Sequence, residues 1–294
     1  MTNDKIKGIS LIIITAFLLS LMALFVKLAG HIPTAEKLVY RNTISIIVSF
    51  FIILKTKGSF FGTKESRNGL IGRTVLGTIG LLAKIYAVSH MLLANATMLT
   101  ELSPFFVIIF SYIFLKEKLK PMQIFAITIA FIGMIFVVHP SGSKFEIIAA
   151  LCALLSAIMA GGAYTTMRYL GPIEKPVTVV FFYTFISSLL CLPFMIYSYV
   201  PLNGKQFLFL MLASAACAIA EFTVVNAYKF APSKDISLYT YSGVIFSAIF
   251  EFLIWFKLPT VNDIIGYVII IFAAIMLFLY GTKFKNTNKK ALTR

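Results

Sequence analysis

Apolar runs of about twenty residues recur along this chain of 294 residues, and short segments that carry most of its charges separate them. Twenty residues of α-helix span about 30 Å, the thickness of the hydrocarbon core of a bilayer. Only 13% of the residues are charged, against roughly 25% in soluble domains. Backbone polar groups inside a bilayer must be satisfied within the protein, and these runs lack the alternation of barrel strands. The sequence therefore predicts an all-α membrane protein solvated mainly by lipid.

The apolar runs predict ten transmembrane helices. Their predicted ranges are 8–29, 36–54, 69–90, 94–115, 121–139, 146–168, 176–198, 206–229, 235–256 and 262–281. The first run is longer than the core of a signal peptide, and no small-x-small cleavage site follows it, so we expect it to remain as the first helix.

The distribution of lysine and arginine predicts the orientation. Of 26 such residues, the three that lie within spans are Lys27, Arg41 and Lys84, and the four that lie on one side are Lys37, Lys144, Lys205 and Lys257. The other nineteen lie in loops and ends on the side of both termini. Because cytoplasmic loops are rich in Lys and Arg, we expect a multi-pass protein of a cell (inner) membrane with both termini cytoplasmic. The net charge of +15 is spread over loops and tails, so we expect no nucleic-acid partner.

The two halves of the chain align at a nearly constant offset. The matched residues are Lys27 with Arg168, Gly30 with Gly171, Ser45 with Ser187, Ser103 with Ser242, and Lys118-Leu119 with Lys257-Leu258. The alignment predicts a first repeat over 1–142 and a second over 143–294. Because each repeat has five spans, the second must enter the membrane in the opposite orientation. Inverted repeats are common in secondary transporters, although duplication of any five-helix protein gives the same alignment.

The same alignment pairs Pro104 in span four with Gly243 in span nine. Proline or glycine in corresponding spans can interrupt the helix and free backbone carbonyls near a binding site. The alternative is an ordinary packing kink. We predict Pro104 and Gly243 as hinge positions.

Four ionisable residues lie deep within predicted spans: Arg41, Lys84, Glu101 and Glu221. A charge at the bilayer centre costs about 2.5 to 3.5 kcal/mol on insertion scales, so such residues need partners or a function. One interpretation is two ion pairs that lock the bundle. The other is a substrate site, in which Arg41 holds a carboxylate or phosphate oxygen and either glutamate binds an amino group or a coupling proton. Two basic and two acidic groups would favour a zwitterion.

Nearby aromatic and amide side chains complete the candidate site. Tyr86 follows Lys84 by two residues, Asn226 follows Glu221, and Tyr241 precedes the Ser242-Gly243 pair. Tyrosine is also common at bilayer interfaces, and for that reason Tyr239 is assigned to the interface. Lys27 and Arg168 lie near span ends, where they are expected to snorkel.

One stretch of the first half resembles a known family. It holds Leu102-Ser103-Pro104, then Phe-Leu-Lys-Glu-Lys-Leu at 114–119, then Gln123 and Gly133 in the next span, and Arg41 fits the same pattern. These residues resemble the EamA-type repeat of the drug/metabolite transporter superfamily, over about 8–281. The resemblance implies a five-plus-five bundle around a central cavity that works by alternating access. Relatives move amino acids, nucleotide-like metabolites such as S-adenosylmethionine, vitamins or amines.

The sequence lacks the motifs of a membrane enzyme. It has no Gly-x-Ser-x-Gly, no phosphate-binding glycine loop and no metal-spaced Cys/His cluster, and it carries no ATPase segment. We therefore expect no catalysis and no cofactor. We predict a secondary transporter of a small polar, zwitterionic metabolite, coupled to protons or membrane potential and acting as a monomer or homodimer. A channel or a non-transporting sensor is the alternative.

Overall fold

A computed structural model describes residues 3–116, 119–138, 144–170, 173–230 and 237–291 of the chain. Glu117, Lys118 and Gly171 lie outside these ranges, as do the side chains of Lys144 and Arg168. The described parts contain helices and no strand. The helices are α1 (Asn3–Leu28), α2 (Thr34–Lys55), α3 (Arg67–His90), α4 (Leu93–Thr100), α5 (Ser103–Leu115), α6 (Pro121–Val138), α7 (Lys144–Leu170), α8 (Pro176–Tyr197), α9 (Gly204–Phe230), a 3-10 helix (Ser237–Tyr241), α10 (Ser242–Trp255) and α11 (Val261–Ala291).

Ten stretches of these helices are long and apolar enough to span a membrane, and each falls on one predicted run. The prediction of an all-helical membrane protein with ten spans is confirmed. Eight spans are single helices. The fourth consists of α4 and α5, and the ninth of the 3-10 helix and α10. The even number places both ends of the chain on one side, which we call the terminal side.

The principal helix contacts run between the two halves of the chain. Helix α1 packs on α9, and α3 packs on α7. These two pairs are equivalent, because α7 is the counterpart of α1 in the second repeat and α9 is the counterpart of α3. The contacts of α2 with α8, α4 with α10 and α6 with α11 each join equivalent spans. This pattern is that of two inverted five-helix repeats related by a pseudo-twofold axis in the membrane plane. The repeats interlock along their whole length.

Small residues bring equivalent helices α6 and α11 together. A Cβ atom on Gly266 would lie 2.7 Å from the carbonyl oxygen of Gly133, and one on Gly133 would lie 3.0 Å from that of Gly266. Small residues permit this close approach in lipid, where apolar burial gives helices little reason to associate.

On the terminal side, the loop before α3 is held to the loop before α8. The Glu174 carboxylate accepts hydrogen bonds from Thr63 N at 2.7 Å and Ser66 Oγ at 2.6 Å. Burial acts to raise the pKa of Glu174, but the hydrogen bonds from Ser66 and Thr63 outweigh it and hold that pKa below its usual value of 4.5. Gly62 has φ of +68°, which suits glycine, and a Cβ atom there would clash with Ser66 and Glu174.

Two lysines on the opposite side have partners within the protein. Lys27 was expected to snorkel, but its Nζ lies 2.8 Å from both carboxylate oxygens of Glu251 and donates to the Met91 carbonyl at 2.9 Å. Lys37 is only 2% exposed and donates to Ser89 Oγ at 2.8 Å. The prediction for Lys27 was wrong because this span end packs against other helices, where an ammonium needs protein partners.

Candidate functional site

The structure brings the four deep ionisable residues together. Arg41 comes from α2, Lys84 from α3, Glu101 from the junction of α4 and α5, and Glu221 from α9. Lys84 interacts electrostatically with Glu101 and Arg41, and Arg41 with Glu221. Among the described residues, no salt bridge joins any two of the four. These contacts therefore do not support the interpretation in which the four residues form two ion pairs that lock the bundle.

Arg41 is fixed by weak or neutral partners. Its side chain is 7% exposed, its Nη1 donates to Asn42 Oδ1 at 2.8 Å and its Nε donates to Met22 Sδ at 3.4 Å. The Asn42 amide in turn donates to Ser187 Oγ at 2.9 Å on α8. These contacts orient the guanidinium, and no carboxylate is among its hydrogen-bond partners in the described part of the chain.

Glu101 lies in the interruption of span four. Helix α4 ends at Thr100 and α5 begins at Ser103, with Pro104 in its first turn. The carbonyl of Glu101 accepts a hydrogen bond from the Tyr241 hydroxyl at 3.1 Å. The backbone group freed by the interruption is thus satisfied from the other half of the chain.

The equivalent position in span nine is the change from the 3-10 helix to α10. Gly243 is buried there, and its carbonyl accepts a hydrogen bond from Ser20 Oγ at 2.8 Å. The sequence correctly indicated interruptions near Pro104 and Gly243. Their role as hinges stays a prediction.

Residues that are equivalent in the two repeats meet each other at this site. Thr240 Oγ1 donates to its equivalent, Glu101, at 3.1 Å from Oε2. Arg41 interacts electrostatically with its equivalent, Tyr183. Equivalent residues can touch only on the pseudo-twofold axis, so the charged cluster lies on that axis.

A small cavity opens beside Arg41 and Lys84. Its lining residues are Met22, Ala23, Val26, Arg41, Leu81, Lys84, Ile85 and Val88. The cavity measures about 10 Å³, which is room for one water molecule. The ion pair of Lys27 and Glu251 lies beyond it towards the side opposite the termini, because Lys27 follows Val26 in α1 and bonds to the Met91 carbonyl, just beyond Val88. Helices must separate before a metabolite fits.

Sequence reasoning missed one member of the cluster, Arg73. It was counted with the basic span ends, yet it lies within α3 with its guanidinium 4.3 Å from the ring centre of Tyr183 and interacts electrostatically with Glu221. The signal was present in the helical phase, because Arg73, Gly77 and Lys84 fall on one face at i, i+4 and i+11. With Arg73 the cluster holds three basic and two acidic groups, one basic group more than the sequence predicted.

Three proposed lining residues have different surroundings. Tyr86 stacks on His90 with ring centres 4.2 Å apart, Asn226 is exposed, and Tyr241 is buried against Glu101. Only Tyr241 contacts the cluster. In the described ranges, no three His, Cys, Asp or Glu side chains form a group that could hold a metal ion.

Comparison with known proteins gives a consistent family. Residues 6–139 and 147–279 each match the EamA-like transporter family. The pseudopaline exporter CntI of Pseudomonas aeruginosa is 28% identical over 94% of this chain and 98% of its own length. The human solute carrier family 35 member G1 is 26% identical over 86% of the chain and 73% of its length, and the Brucella anthropi riboflavin transporter is 23% identical over 84% and 88%. A solved crystal structure with 16% identity superposes with a TM-score of 0.67, covering 94% of this chain and 98% of that one.

Proposed function

Because this chain belongs to the EamA-like transporter family, we propose that it is a secondary transporter that moves a small polar, zwitterionic metabolite by alternating access. Membrane transport of a small metabolite is the activity for which several relatives are named. The observation that supports the finer proposal is a charged cluster on the pseudo-twofold axis whose members form no salt bridge with one another in the described ranges. Buried charges without partners are expected to bind a ligand.

Arg41 and the two glutamates have roles that their surroundings suit. Arg41, held from behind by Asn42, presents a planar donor fork to a carboxylate or phosphate oxygen. Glu101 or Glu221 accepts an amino group or carries a coupling proton. The interruptions at Pro104 and Gly243 supply the points about which spans four and nine bend.

The orientation proposed from the charge bias puts the terminal side in the cytoplasm of a bacterial-type inner membrane. The ion pair of Lys27 and Glu251 then closes the cavity towards the outside. The relative named as an exporter supports outward movement as the working direction. A cysteine at Lys205, which is exposed at the start of α9, should react with a membrane-impermeant thiol reagent from outside; reaction only from within would reverse the orientation.

The decisive test is substrate counterflow in proteoliposomes. A thermal-shift screen against pooled metabolites first selects a ligand, since a ligand that binds only the folded state raises the melting temperature. Wild-type protein should then show saturable counterflow of that ligand. Arg41→Gln and Glu101→Gln should abolish it with little change in melting temperature, because neither side chain is locked in an ion pair. Lys205→Gln, on an exposed residue, is the matched control and should transport normally.

Three other outcomes separate the alternatives. Flux without saturation or counterflow indicates a channel, and binding without any flux indicates a sensor. If the variants that lose transport also lose roughly 3 to 5 kcal/mol in the free energy of unfolding, the charged residues serve to hold the fold together. Flux that ignores both a pH gradient and an imposed potential would exclude coupling and leave facilitated exchange.

A further inference from the structure

Arg73 is the basic member of the cluster to which the sequence assigned no role. Its Nε is buried without a hydrogen-bond partner among the described residues, and no salt bridge to it forms within the same ranges. Its contact with Tyr183 is a stack of the guanidinium on the ring, at 4.3 Å. Stacking uses the face of the guanidinium and leaves the in-plane N–H donors free.

The local geometry holds Arg73 beside the path rather than against lipid. Tyr183 donates its hydroxyl to the Gly77 carbonyl at 3.4 Å, which fixes the ring under the guanidinium. A Cβ atom on Gly77 would lie 2.1 Å from Arg73 Nη1 and 2.8 Å from the Tyr183 ring, so the guanidinium and the ring both pack closely over this glycine. Gly77, Tyr183 and Arg73 therefore form a built support for an unpaired guanidinium.

Arg73 and Arg41 approach the same carboxylate from different depths. Arg73 lies six residues from the terminal-side end of α3, and Arg41 lies seven residues from the opposite end of α2. At about 1.5 Å per residue, each is roughly 10 Å inside the bundle from its own side. Both act electrostatically on the Glu221 carboxylate.

The charge count specifies what ligand completes the cluster. Lys84 interacts with Glu101, which leaves two guanidiniums and one glutamate. A simple zwitterion adds no net charge and leaves one positive charge in excess. A molecule with one amino group and two carboxylates brings the sum to zero and gives each guanidinium an anionic partner.

We propose that Arg73 is a second anion-binding residue of the substrate path, and that the substrate is an amino dicarboxylate, held through one carboxylate by Arg41 and through the other by Arg73. This rests on the proposed transport function and narrows it. The amino group lies against Glu221 or Glu101. Arg73, nearer the terminal side, is the first of the two guanidiniums that a substrate from that side meets.

The test uses the full chain and three defined probes: L-alanine with one carboxylate, and L-glutamate and iminodiacetate with two. Thermal shifts are measured in detergent, and counterflow of radiolabelled L-glutamate and L-alanine is measured in liposomes. Wild-type protein should favour the two dicarboxylates. Arg73→Gln should weaken L-glutamate about ten- to a hundredfold, the effect of losing a charge-assisted hydrogen bond, while L-alanine is unchanged. Arg67→Gln is the matched control, an exposed arginine on the same helix.

Arg73→Lys covers the case in which Arg73→Gln fails to fold. It keeps the charge but loses the planar fork, so the advantage of L-glutamate over L-alanine should shrink in a folded protein. The proposal is overturned if wild-type protein binds L-glutamate and L-alanine with equal affinity, or if the advantage of L-glutamate survives in every folded Arg73 variant. In either case, counterflow of L-alanine would still support the transport function. Ligand binding without counterflow of either amino acid overturns the transport function itself.

Discussion

Separating the ion pair of Lys27 and Glu251 should open the central cavity from the side opposite the termini. Lys27 Nζ contacts both carboxylate oxygens at 2.8 Å, and one of those oxygens also accepts from Leu93 N at 3.1 Å. The pair thus joins the end of α1, the start of α4 and helix α10 directly above the cavity. Within the part of the chain that the structure describes, no second salt bridge ties these three helix segments together.

The expected magnitude follows from burial. The side chains of Lys27 and Glu251 are 15% and 3% exposed. Replacing one partner strands the other charge in protein, which should destabilise the fold by roughly 3 to 5 kcal/mol. Replacing both, as Lys27→Met with Glu251→Gln, removes the stranded charge and lets the glutamine oxygen still accept from Leu93 N. The double variant should therefore be destabilised far less than the sum of the two single variants, so the double-mutant cycle should return a clear coupling energy between Lys27 and Glu251.

The assay is thiol labelling in a background free of native cysteines. Val88 lines the cavity and is 2% exposed, so Val88→Cys reports opening. A membrane-impermeant maleimide applied from the side opposite the termini should label it about tenfold faster or more in the double variant, since each 1.4 kcal/mol shifts a two-state population tenfold.

Two results would refute this reasoning. A coupling energy near zero in the double-mutant cycle would mean that the pair contributes nothing as a pair. Unchanged labelling of Val88→Cys in a stable double variant would mean that other contacts close this side, the first candidate being Asn95, which donates to Asp263 at 2.8 Å.

Two further predictions concern stability. Glu174→Gln should lower the melting temperature at neutral pH. Because the folded-state pKa of Glu174 is depressed, the difference in melting temperature from wild type should be full above pH 4.5 and should vanish as the pH falls through that folded-state pKa. Glu65→Gln, on an exposed residue, is the control and should leave the melting temperature unchanged. Gly266→Ala should destabilise the chain by about 1 to 3 kcal/mol in denaturant titrations because its Cβ atom would meet backbone 2.7 Å away, and Gly204→Ala, which meets nothing within 4 Å, should be neutral; equal effects would refute the packing argument.

The spans and the inverted repeat were predictable because the bilayer imposes a length and an apolar composition on each crossing. The inversion of the repeat was predictable because each repeat has five crossings, and an odd number forces opposite orientations whatever the side chains are. The interruptions beside Pro104 and Gly243 followed from backbone chemistry alone. None of these features depends on the packing of particular side chains.

The partners of span-end charges were not predictable. Lys27 lies beside the last residue of α1 and Arg73 lies deeper, within α3, yet both were counted with span ends that reach water. Which face of a helix meets protein decides whether such a side chain pairs, stacks or reaches water. The face shared by Arg73, Gly77 and Lys84 was visible in the sequence, but assigning it to the cavity needed the neighbouring Tyr183 of the other repeat.

The distribution of satisfied and unsatisfied charge suggests how binding and movement are coupled. On the side opposite the termini, Lys27 has a carboxylate partner and Lys37 a hydroxyl partner. In the central cluster, Arg41 and Arg73 have no salt bridge in the described ranges. A ligand can shift a two-state equilibrium only by its difference in affinity for the two states. A substrate supplies that difference if it binds the guanidiniums of Arg41 and Arg73 more fully when the helices separate. For the opposite side to open, this difference in binding free energy must exceed the coupling energy of the Lys27–Glu251 pair.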